Sequence, residues 1–408
     1  MAYSTIIKEQ EGLHMLSYFS VFKDESKLDI NYVPPRLPHR KAQLELLSQF
    51  FRFAIESPGR MTQRVLIVGK IGTGKTVLSQ HFGLRMTKEA RQRNVNLHYV
   101  HVNCRECKGS FFMILQRVIL RFYPNFPKRG YSAEELLQAL MQILDEKNVY
   151  VILALDELEA LIRSEGSDPI YSLTRIQEER PKTAQRLSLI GILREMQNLD
   201  MLDPSTRSTL QRNIIHFKEY SKPQLRDILN DRLTWAFKES TVPSQTLDLI
   251  AEAAALEGGD ARYAIELLWR AGKYADTERS KEVLPEHARK AASSVYPVVR
   301  KDTIAELSLH EKLFLLGIAR RFKLTDAAHI SIGEAEEAYA IVCEEYGEKR
   351  RKHTQLWKYA KQLSALDIIK TQPSSLGYRG KTTLISLPRI PASELERELS
   401  RVLRIKAA

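Results

Sequence analysis

Cysteine is scarce in this chain of 408 residues, which contains only three. Cys104 and Cys107 form a single C-x-x-C pair in the stretch NCREC, and Cys343 lies far from them in sequence. Three thiols cannot all pair as disulfides, and a zinc site of this kind needs a second pair of ligands. The composition therefore favours reduced thiols in a cytoplasmic protein and argues against a disulfide or zinc scaffold.

Long apolar runs are missing as well. The longest are of strand length, such as VYVILAL at residues 149–155, whereas a membrane-spanning helix needs about 20 apolar residues. The first residues, MAYSTIIKEQEGLH, lack the basic and apolar regions of a secretion signal. We therefore expect a cytoplasmic protein with no membrane partner.

The charge that is present is mainly positive. Lysine and arginine number 62 against 50 aspartate and glutamate residues, which gives a formal net charge of +12. Such a surplus favours a polyanionic partner, nucleic acid or an anionic membrane surface, with a merely soluble basic surface as the alternative. The length and the 43% hydrophobic content predict a globular protein of roughly two or three domains.

A glycine-rich bend within VLIVGKIGTGKTVL, residues 65–78, has the chemistry of a phosphate-binding loop. It matches the pattern G-x-x-x-x-G-K-[ST] at Gly69, Gly74, Lys75 and Thr76. Glycines let the backbone turn its N–H groups around a diphosphate, Lys75 would reach the β- and γ-phosphates, and the Thr76 hydroxyl would ligate Mg²⁺. An apolar run before the bend predicts a buried strand, and apolar spacing after it predicts a helix. Together they predict a site for ATP or ADP with Mg²⁺.

A second predicted strand ends in the acids that such a loop requires. The run VYVILALDELEAL, residues 149–161, is apolar until it reaches Asp156 and Glu157. Asp156 would hold Mg²⁺ through water, and Glu157 would orient or deprotonate the attacking water. Two adjacent carboxylates favour ATP hydrolysis over kinase chemistry, and the alternative is a strand end with solvated acids.

Two later segments extend the pattern. LSLIGI at residues 187–192 predicts another buried strand. In EGGDARYAIELLWRAGKYAD, Asp260 is a good N-cap, and apolar residues recur at helical spacing on one face. Arg262 lies in the first helical turn, off that apolar stripe. An arginine there would close on the γ-phosphate, which is the sensor-2 arrangement of AAA+ ATPases.

The order of these segments carries a family resemblance. The stretches are NYVPPRLPHRKAQLELL, GKIGTGKT, LALDELEAL, LDPSTRSTL, EYSKPQLRDILNDR and GGDARYAIELLWRAG. Together they resemble the archaeal DNA replication initiator of the origin-recognition and cell-division-control type, over nearly the whole chain. The resemblance implies an α/β fold with three parts. These are a P-loop AAA+ parallel-sheet base at residues 1–218, a helical lid at 219–295 and a C-terminal winged-helix domain at 296–408.

The resemblance also implies roles for individual residues. Those that would contact the phosphates are Gly72, Thr73, Gly74, Lys75 and Thr76. Tyr220 and Arg232 occupy the family's nucleotide positions, and Arg36 would lie on the adenine side. Tyr220 would pack on adenine or ribose, with a packed hinge aromatic as the alternative.

One position departs from the family's pattern. After the LIGI strand the family usually has a polar residue and then an asparagine, the sensor that positions the attacking water. Here Leu193 and Arg194 follow. Arg194 can touch a phosphate but cannot orient water as an amide does, so we expect slow ATP hydrolysis that acts as a switch. The arginine finger for a neighbouring subunit would be Arg207, with a solvated surface arginine as the alternative.

Positive charge is concentrated toward the C-terminus. SLHE and SIGE predict capping boxes at the starts of two helices, a third helix follows, and DIIKT and TTLISL predict a β-hairpin. Three helices and a hairpin predict a winged helix. The third helix would present Lys358 and Lys361 outward to a major groove. The hairpin tip, with Tyr378, Arg379 and Lys381, would enter a minor groove.

These features predict an ATP-dependent initiator that binds double-stranded origin DNA on the nucleoid. The resemblance adds recruitment of the replicative helicase and paralogous initiator subunits as partners. Two alternatives stay open. One is an AAA+ remodelling or loader ATPase with a general DNA tether, and the other is an ADP-bound transcriptional regulator.

Overall fold

The computed structural model describes residues 20–177, 180, 183–295, 304, 306–377 and 380–407. Contacts divide the chain into two units, one of residues 33–219 and one that combines the segment before residue 33 with everything from Tyr220 onward. Within the described ranges, no helix has both the length and the apolar character needed to cross a bilayer.

The first unit is built on a parallel sheet. Its strands are β1 (Arg64–Val68), β2 (Leu97–Asn103), β3 (Tyr150–Asp156), β4 (Leu187–Leu193) and β5 (Ile214–His216). They lie side by side in the order β2-β3-β4-β1-β5. Because neighbouring strands are parallel, the loops that follow β1, β3 and β4 leave the sheet at the same edge. The P-loop, the acidic pair and the end of the LSLIGI strand therefore lie side by side.

Helices cover both faces of this sheet. They are α1 (Lys41–Phe51), α2 (Phe53–Glu56), α3 (Lys75–Gln92), α4 (Phe111–Phe122), α5 (Ala133–Glu146), α6 (Glu159–Glu165), α7 (Asp168–Arg175) and α8 (Pro204–Leu210). Ile152, Leu153 and Ala154 of β3 are all fully buried, although successive residues face opposite sides. One face packs against α1 and α3, and the other packs against α4 and α5.

The second unit contains the helices of the predicted lid. They are α9 (Lys222–Ala236), α10 (Ser244–Leu256), α11 (Ala261–Thr277) and α12 (Pro285–Val295). The predicted cap of α11 is confirmed, because the Asp260 carboxylate accepts from the N–H of Arg262 at 2.8 Å and of Tyr263 at 3.1 Å. The predicted apolar stripe is buried, and it consists of Ala264, Leu267, Leu268 and Ala271.

Residues 20–32 pack with these lid helices. The rings of Phe22 and Phe237 lie 4.7 Å apart between centroids. Buried Arg232 donates to the carbonyl of Lys27 at 2.9 Å. The sequence prediction grouped this segment with the base, whereas it belongs to the second unit. Local periodicity could not reveal this, because the contact partners are about two hundred residues apart in the chain.

The remainder of the second unit is the winged helix. Its elements are α13 (Leu309–Leu324), β6 (His329–Ser331), α14 (Ile332–Glu345), α15 (His353–Ala365), β7 (Lys370–Gly377), β8 (Gly380–Ser386) and α16 (Ala392–Ala407). Ser308 and Ser331 form the predicted capping boxes that open α13 and α14. The strands are antiparallel in the order β6-β8-β7. The sequence prediction missed β6 and α16.

A buried arginine joins the lid to the winged helix within this unit. Arg289 of α12 is fully buried, and it donates to the carbonyls of Leu387 at 3.0 Å and Ala327 at 2.9 Å. The carboxylate of Glu286 lies 3.3 Å from Arg289 and accepts from the N–H of Ala392 at 3.1 Å. The lid and the winged helix therefore share a desolvated, charged contact.

Replacing Arg289 with alanine is expected to destabilise the second unit by about 3 kcal/mol, because carbonyls and a carboxylate would lose a buried partner. Urea unfolding would measure the change. Lys281→Ala, at an exposed lid position, is the control and should leave the midpoint unchanged. An Arg289→Ala chain as stable as the parent would contradict this account.

A second contact between lid and winged helix centres on Glu252 of α10. Its carboxylate accepts from Lys222 Nζ at 3.1 Å and from the Ser386 hydroxyl at 3.1 Å, and it lies 3.4 Å from His329 Nε2. Burial alone would raise the pKa of Glu252. The contacts with His329 and Lys222 outweigh burial and hold that pKa below its ordinary value.

This lowered pKa predicts an acid-sensitive contact. A carboxyl group with a depressed folded-state pKa stabilises the fold above its ordinary value of about 4.3, and the contribution is lost as pH falls through the folded value. The free energy of unfolding should therefore fall below about pH 4.3 more steeply for the parent chain than for Glu252→Gln. Denaturation at a series of pH values tests this, and parallel pH profiles for the two chains would contradict it.

Candidate nucleotide site and DNA-binding surface

The loop between β1 and α3 has the backbone conformation of a phosphate cradle. Gly72 and Gly74 have φ angles of +73° and +86°, which residues with a Cβ rarely adopt. A Cβ on Gly69 would lie 2.4 Å from the carbonyl oxygen of Phe217, so this close approach requires glycine. Thr73 is fully buried, and its hydroxyl donates to a carbonyl of the same loop at 2.8 Å.

Lys75 is the first residue of α3, as the motif predicted. Its ammonium group donates to the carbonyls of Gly69 and Lys70, the latter at 2.8 Å. The Lys75 side chain therefore lies against the backbone of the predicted phosphate-binding loop. The positive end of the α3 dipole adds to the lysine charge at this edge of the sheet.

Thr76 and Asp156, predicted to share a metal ion, are in direct contact. The Thr76 hydroxyl donates to Asp156 Oδ2 at 2.7 Å, and His101 Nε2 lies 3.2 Å from the same oxygen. Burial alone would raise the pKa of Asp156, but the hydrogen bonds with His101 and Thr76 outweigh it and keep that pKa below its ordinary value. Asp156 is therefore held as a buried carboxylate beside the P-loop threonine.

Glu157, the predicted base, is held by an ion pair. Its φ of +51° is rare for a residue other than glycine, and its N–H donates to Asp156 Oδ1 at 2.9 Å. Arg194, directly after β4, donates to Glu157 Oε1 at 2.9 Å, and its Nε lies 3.3 Å from Glu159 Oε1. Burial raises the pKa of Glu159 above its ordinary value. Arg194 therefore holds the predicted base and a neighbouring buried acid together.

Arg40 supports the loop; it ends the stretch YVPPRLPHR, which the resemblance placed on the adenine side with Arg36, but it was given no role of its own. Arg40 is buried, and it donates to the carbonyl of Thr73 at 3.0 Å and to that of Lys218 at 2.7 Å. Arg36, which the resemblance placed on the adenine side, is exposed in the same stretch. Nothing in a single sequence separates a buried arginine from an exposed one nearby. The only available signal was the position of Arg40 immediately before α1.

The remaining nucleotide residues predicted from the resemblance lie in the second unit. Tyr220 is buried in the lid core, Arg232 holds the N-terminal segment, and Arg262 is exposed in the first turn of α11. In the first unit, Arg207 of α8 forms an ion pair with Asp200 at 2.8 Å. The nucleotide roles of these residues stay predictions.

The first-unit residues fit a nucleotide with Mg²⁺. Gly72 and Gly74 give the loop the positive φ angles of a phosphate-binding turn, and Lys75 supplies positive charge. The Thr76 hydroxyl and the Asp156 carboxylate supply two oxygen atoms that could ligate a metal ion, and these atoms lie 2.7 Å apart. Magnesium usually takes one or two carboxylates together with phosphate and water oxygens, so this donor set needs no further protein ligand.

Helix α15 presents a basic and aromatic outer face. Its predicted inner residues, Leu356, Ala360 and Leu363, are buried, and the predicted outer residues, Lys358 and Lys361, are exposed. Sequence reasoning overlooked exposed Trp357, whose ring centre lies 3.9 Å from the ammonium group of Lys361. This cation–π contact places a flat aromatic surface beside a charge.

The hairpin residues are described only in part. Tyr378 and Arg379 lie outside the described residues, and Lys381 lies in β8 without a described side chain. Their contacts with DNA stay predictions.

The chain is 37% identical over 381 residues to ORC1-type DNA replication protein 2 of Sulfolobus acidocaldarius, a match that covers 92% of this chain and 91% of the relative. The chain belongs to this ORC1-type family. Three domain-family models match successive parts of this chain. They are an AAA domain at residues 60–199, a Cdc6 AAA+ ATPase-type lid domain at 226–293 and a CDC6 C-terminal winged helix domain at 302–396. The predicted family and fold class are confirmed.

Solved structures share the fold of this ORC1-type chain. Cdc6p from Pyrobaculum aerophilum superposes with a TM-score of 0.85 at 33% identity, and the match covers 95% of this chain and 100% of that one. The ORC1 protein of Aeropyrum pernix, solved in complex with DNA, gives a TM-score of 0.62 at 30% identity, covering 94% and 98%. DNA replication, an AAA+ ATPase domain and a DNA-binding winged helix are therefore features of the family to which the chain belongs.

Proposed function

We propose that this ORC1-type chain is an ATP-responsive initiator that binds origin duplex DNA and helps to recruit or load the replicative helicase. The observation that carries the proposal is the contact between Thr76 and Asp156, which joins the predicted phosphate-binding loop to the predicted metal-binding carboxylate in a member of this family. We expect the protein to act on the nucleoid in the cytoplasm. The helicase step and paralogous subunits rest on the family alone.

The proposed nucleotide chemistry divides among the residues of the base. Lys75 would neutralise charge on the β- and γ-phosphates, and the loop N–H groups at the start of α3 would hold the diphosphate. Thr76 and Asp156 would hold Mg²⁺, which neutralises phosphate charge when bound. Glu157 would orient the attacking water or accept its proton. Arg262 of the lid would close on the γ-phosphate.

The Arg194 ion pair favours slow hydrolysis. Glu157 Oε1 accepts a hydrogen bond from Arg194 at 2.9 Å, and this ion pair holds the carboxylate toward Arg194 and restrains it from turning toward an attacking water. An arginine in place of the family's asparagine also removes the amide that would orient the water. ATP would therefore persist long enough to act as a binding signal.

The lid and the winged helix would carry that signal to DNA. Arg289 and Glu252 each join the two parts through buried polar contacts, so a displacement of the lid would carry the winged helix with it. ATP can act as a switch only if it binds one arrangement better than another. The proposed function therefore requires DNA affinity to depend on the bound nucleotide.

Helix α15 is the proposed DNA-reading element. A winged helix places its third helix in the major groove, where exposed Lys358 and Lys361 would meet phosphates and base edges. Tyr378, Arg379 and Lys381 of the hairpin would reach the minor groove. The ORC1 protein of Aeropyrum pernix, a relative by fold and sequence, was solved in complex with DNA, which supports DNA binding as such.

Replacing Lys358 and Lys361 together with alanine is expected to weaken DNA binding and to lower the salt dependence. Each phosphate contact contributes about 0.9 to the slope of log K against log salt, so losing two should reduce the slope by about 2. Fluorescence anisotropy over a salt series measures it. Lys281→Ala in the lid is the control, and an unchanged slope in the double variant would remove these lysines from the interface.

The proposed function is tested by measuring affinity for the chain's own origin DNA with ATP, with ADP and without nucleotide. We expect at least one state to differ by about 5-fold or more, the usual scale of allosteric coupling. Identical affinities would overturn the switch. Rapid hydrolysis without sequence preference would favour a remodelling ATPase, and promoter binding with almost no hydrolysis would favour a regulator.

A further inference from the structure

A cavity of about 570 Å³ lies over strand β2, at the edge of the first-unit sheet. Its walls are α3 and the last turn of α4, and its floor is β2. A Cβ on Gly83 would lie 2.2 Å from the Tyr99 ring, so glycine at this point lets α3 lie directly against that ring. The hydroxyls of Tyr99 and Ser79 are 2.8 Å apart, which fixes the ring to the helix.

The lining of this cavity is strongly basic. Lys88 and Arg91 project from α3, Arg121 from α4, and His98 and His101 from β2. No carboxylate is among the lining residues, all of which are described. Burial, and after it the charges of Arg121 and Arg91, lower the pKa of His98 below its ordinary value, as expected where cations converge.

Among the described residues, the Lys and Arg side chains of the cavity have no carboxylate partner. Within the described parts of the chain, neither Lys88, Arg91 nor Arg121 forms an ion pair. Two nearby arginines outside the cavity do form ion pairs. Arg93 pairs with Glu89 at 3.3 Å, and Arg117 pairs with Glu106 at 3.0 Å. No ion pair with a described protein carboxylate therefore neutralises these three cations.

We propose that this cavity is a second anion site, separate from the P-loop, that binds a small polyphosphate. Pyrophosphate and the phosphate groups of a nucleotide share the required chemistry. Guanidinium groups pair with phosphate oxygens in a bidentate manner, so Arg91 and Arg121 would hold the phosphates while Lys88 adds a point charge. The volume of about 570 Å³ lies within the usual range for small-ligand sites.

The location of the site gives it a route to the nucleotide chemistry. His101 lines the cavity, and its Nε2 lies 3.2 Å from Asp156 Oδ2. A single side chain therefore separates the anion site from the carboxylate that contacts Thr76. The binding proposal stands on the cavity and its charges and does not depend on ATP hydrolysis.

The test measures pyrophosphate binding by calorimetry in a Lys75→Ala chain, where the P-loop contribution is suppressed. Arg91→Gln with Arg121→Gln in that background should weaken binding at least tenfold. Arg93→Gln, a neighbouring arginine at the end of α3 outside the lining, should not. Thermal unfolding must show that the variants remain folded, and Lys88→Gln alone should give a smaller loss.

Titration with ADP separates the two sources of phosphate. Competition between ADP and pyrophosphate would identify a nucleotide, and pyrophosphate binding without competition would identify the free anion. The proposal is overturned if pyrophosphate does not bind, if Arg93→Gln loses as much affinity as the double variant, or if a short DNA duplex binds this face while pyrophosphate does not. None of these outcomes would affect the proposed P-loop function.

Discussion

Replacing Arg194 with asparagine is expected to raise the rate of ATP hydrolysis by about 10-fold to 100-fold. The change removes the cation that occupies Glu157 Oε1 at 2.9 Å and supplies an amide where the family usually has one. Once the ion pair is removed, the Glu157 carboxylate can turn toward the attacking water and accept its proton. Single-turnover hydrolysis at saturating ATP measures the chemical step directly, and ATP affinity should change much less than the rate.

Two further variants separate the causes. Arg194→Ala frees Glu157 without supplying an amide, so it should produce a smaller rise than Arg194→Asn. Arg163→Ala removes an exposed arginine whose partner is the Asn198 side chain at 3.1 Å, and it should leave the rate unchanged. If both Arg194 variants hydrolyse ATP more slowly than the parent, Arg194 assists the reaction and the restraint of Glu157 is wrong.

The features that sequence could predict are those encoded by nearby residues. The P-loop glycines, the Asp260 cap and the two serine capping boxes each depend on backbone groups within a few positions, so a short pattern specifies them. The P-loop follows one predicted parallel strand and Asp156 ends another. Because such strands end at the same edge of a sheet, the sequence also implies that the P-loop and Asp156 lie close together. These signals were sufficient to place Thr76 and Asp156 at one metal site, whereas the three-part fold was expected from the family resemblance.

The features that sequence could not predict depend on distant partners. Arg194 was recognised as unusual, but its pairing with Glu157 and Glu159 requires the register of β3 against β4 and the αL backbone at Glu157. Arg40 supports a loop that lies 33 positions later in the chain. Buried arginines carry no periodicity, since burial of a charge is decided by the carbonyls around it.

Replacing Lys75 with alanine is expected to weaken ATP binding by at least 100-fold, or about 3 kcal/mol, because a charge partner of the phosphates is lost. DNA affinity without nucleotide should stay the same, since the winged helix belongs to the other structural unit. The dependence of DNA affinity on nucleotide should disappear. Nucleotide titration and DNA anisotropy on the same full-length preparation measure all three quantities.

Lys70→Ala is the matched control for this loop. Lys70 is exposed, pairs with Glu219 at 2.8 Å and occupies a variable position of the motif, so its loss should change ATP affinity little. A Lys75→Ala chain that also loses nucleotide-free DNA binding would refute the division of labour between P-loop and winged helix. If nucleotide dependence of DNA binding survives in Lys75→Ala while ATP binding is gone, the signal does not originate at the P-loop, and the switch must be sought elsewhere in the chain.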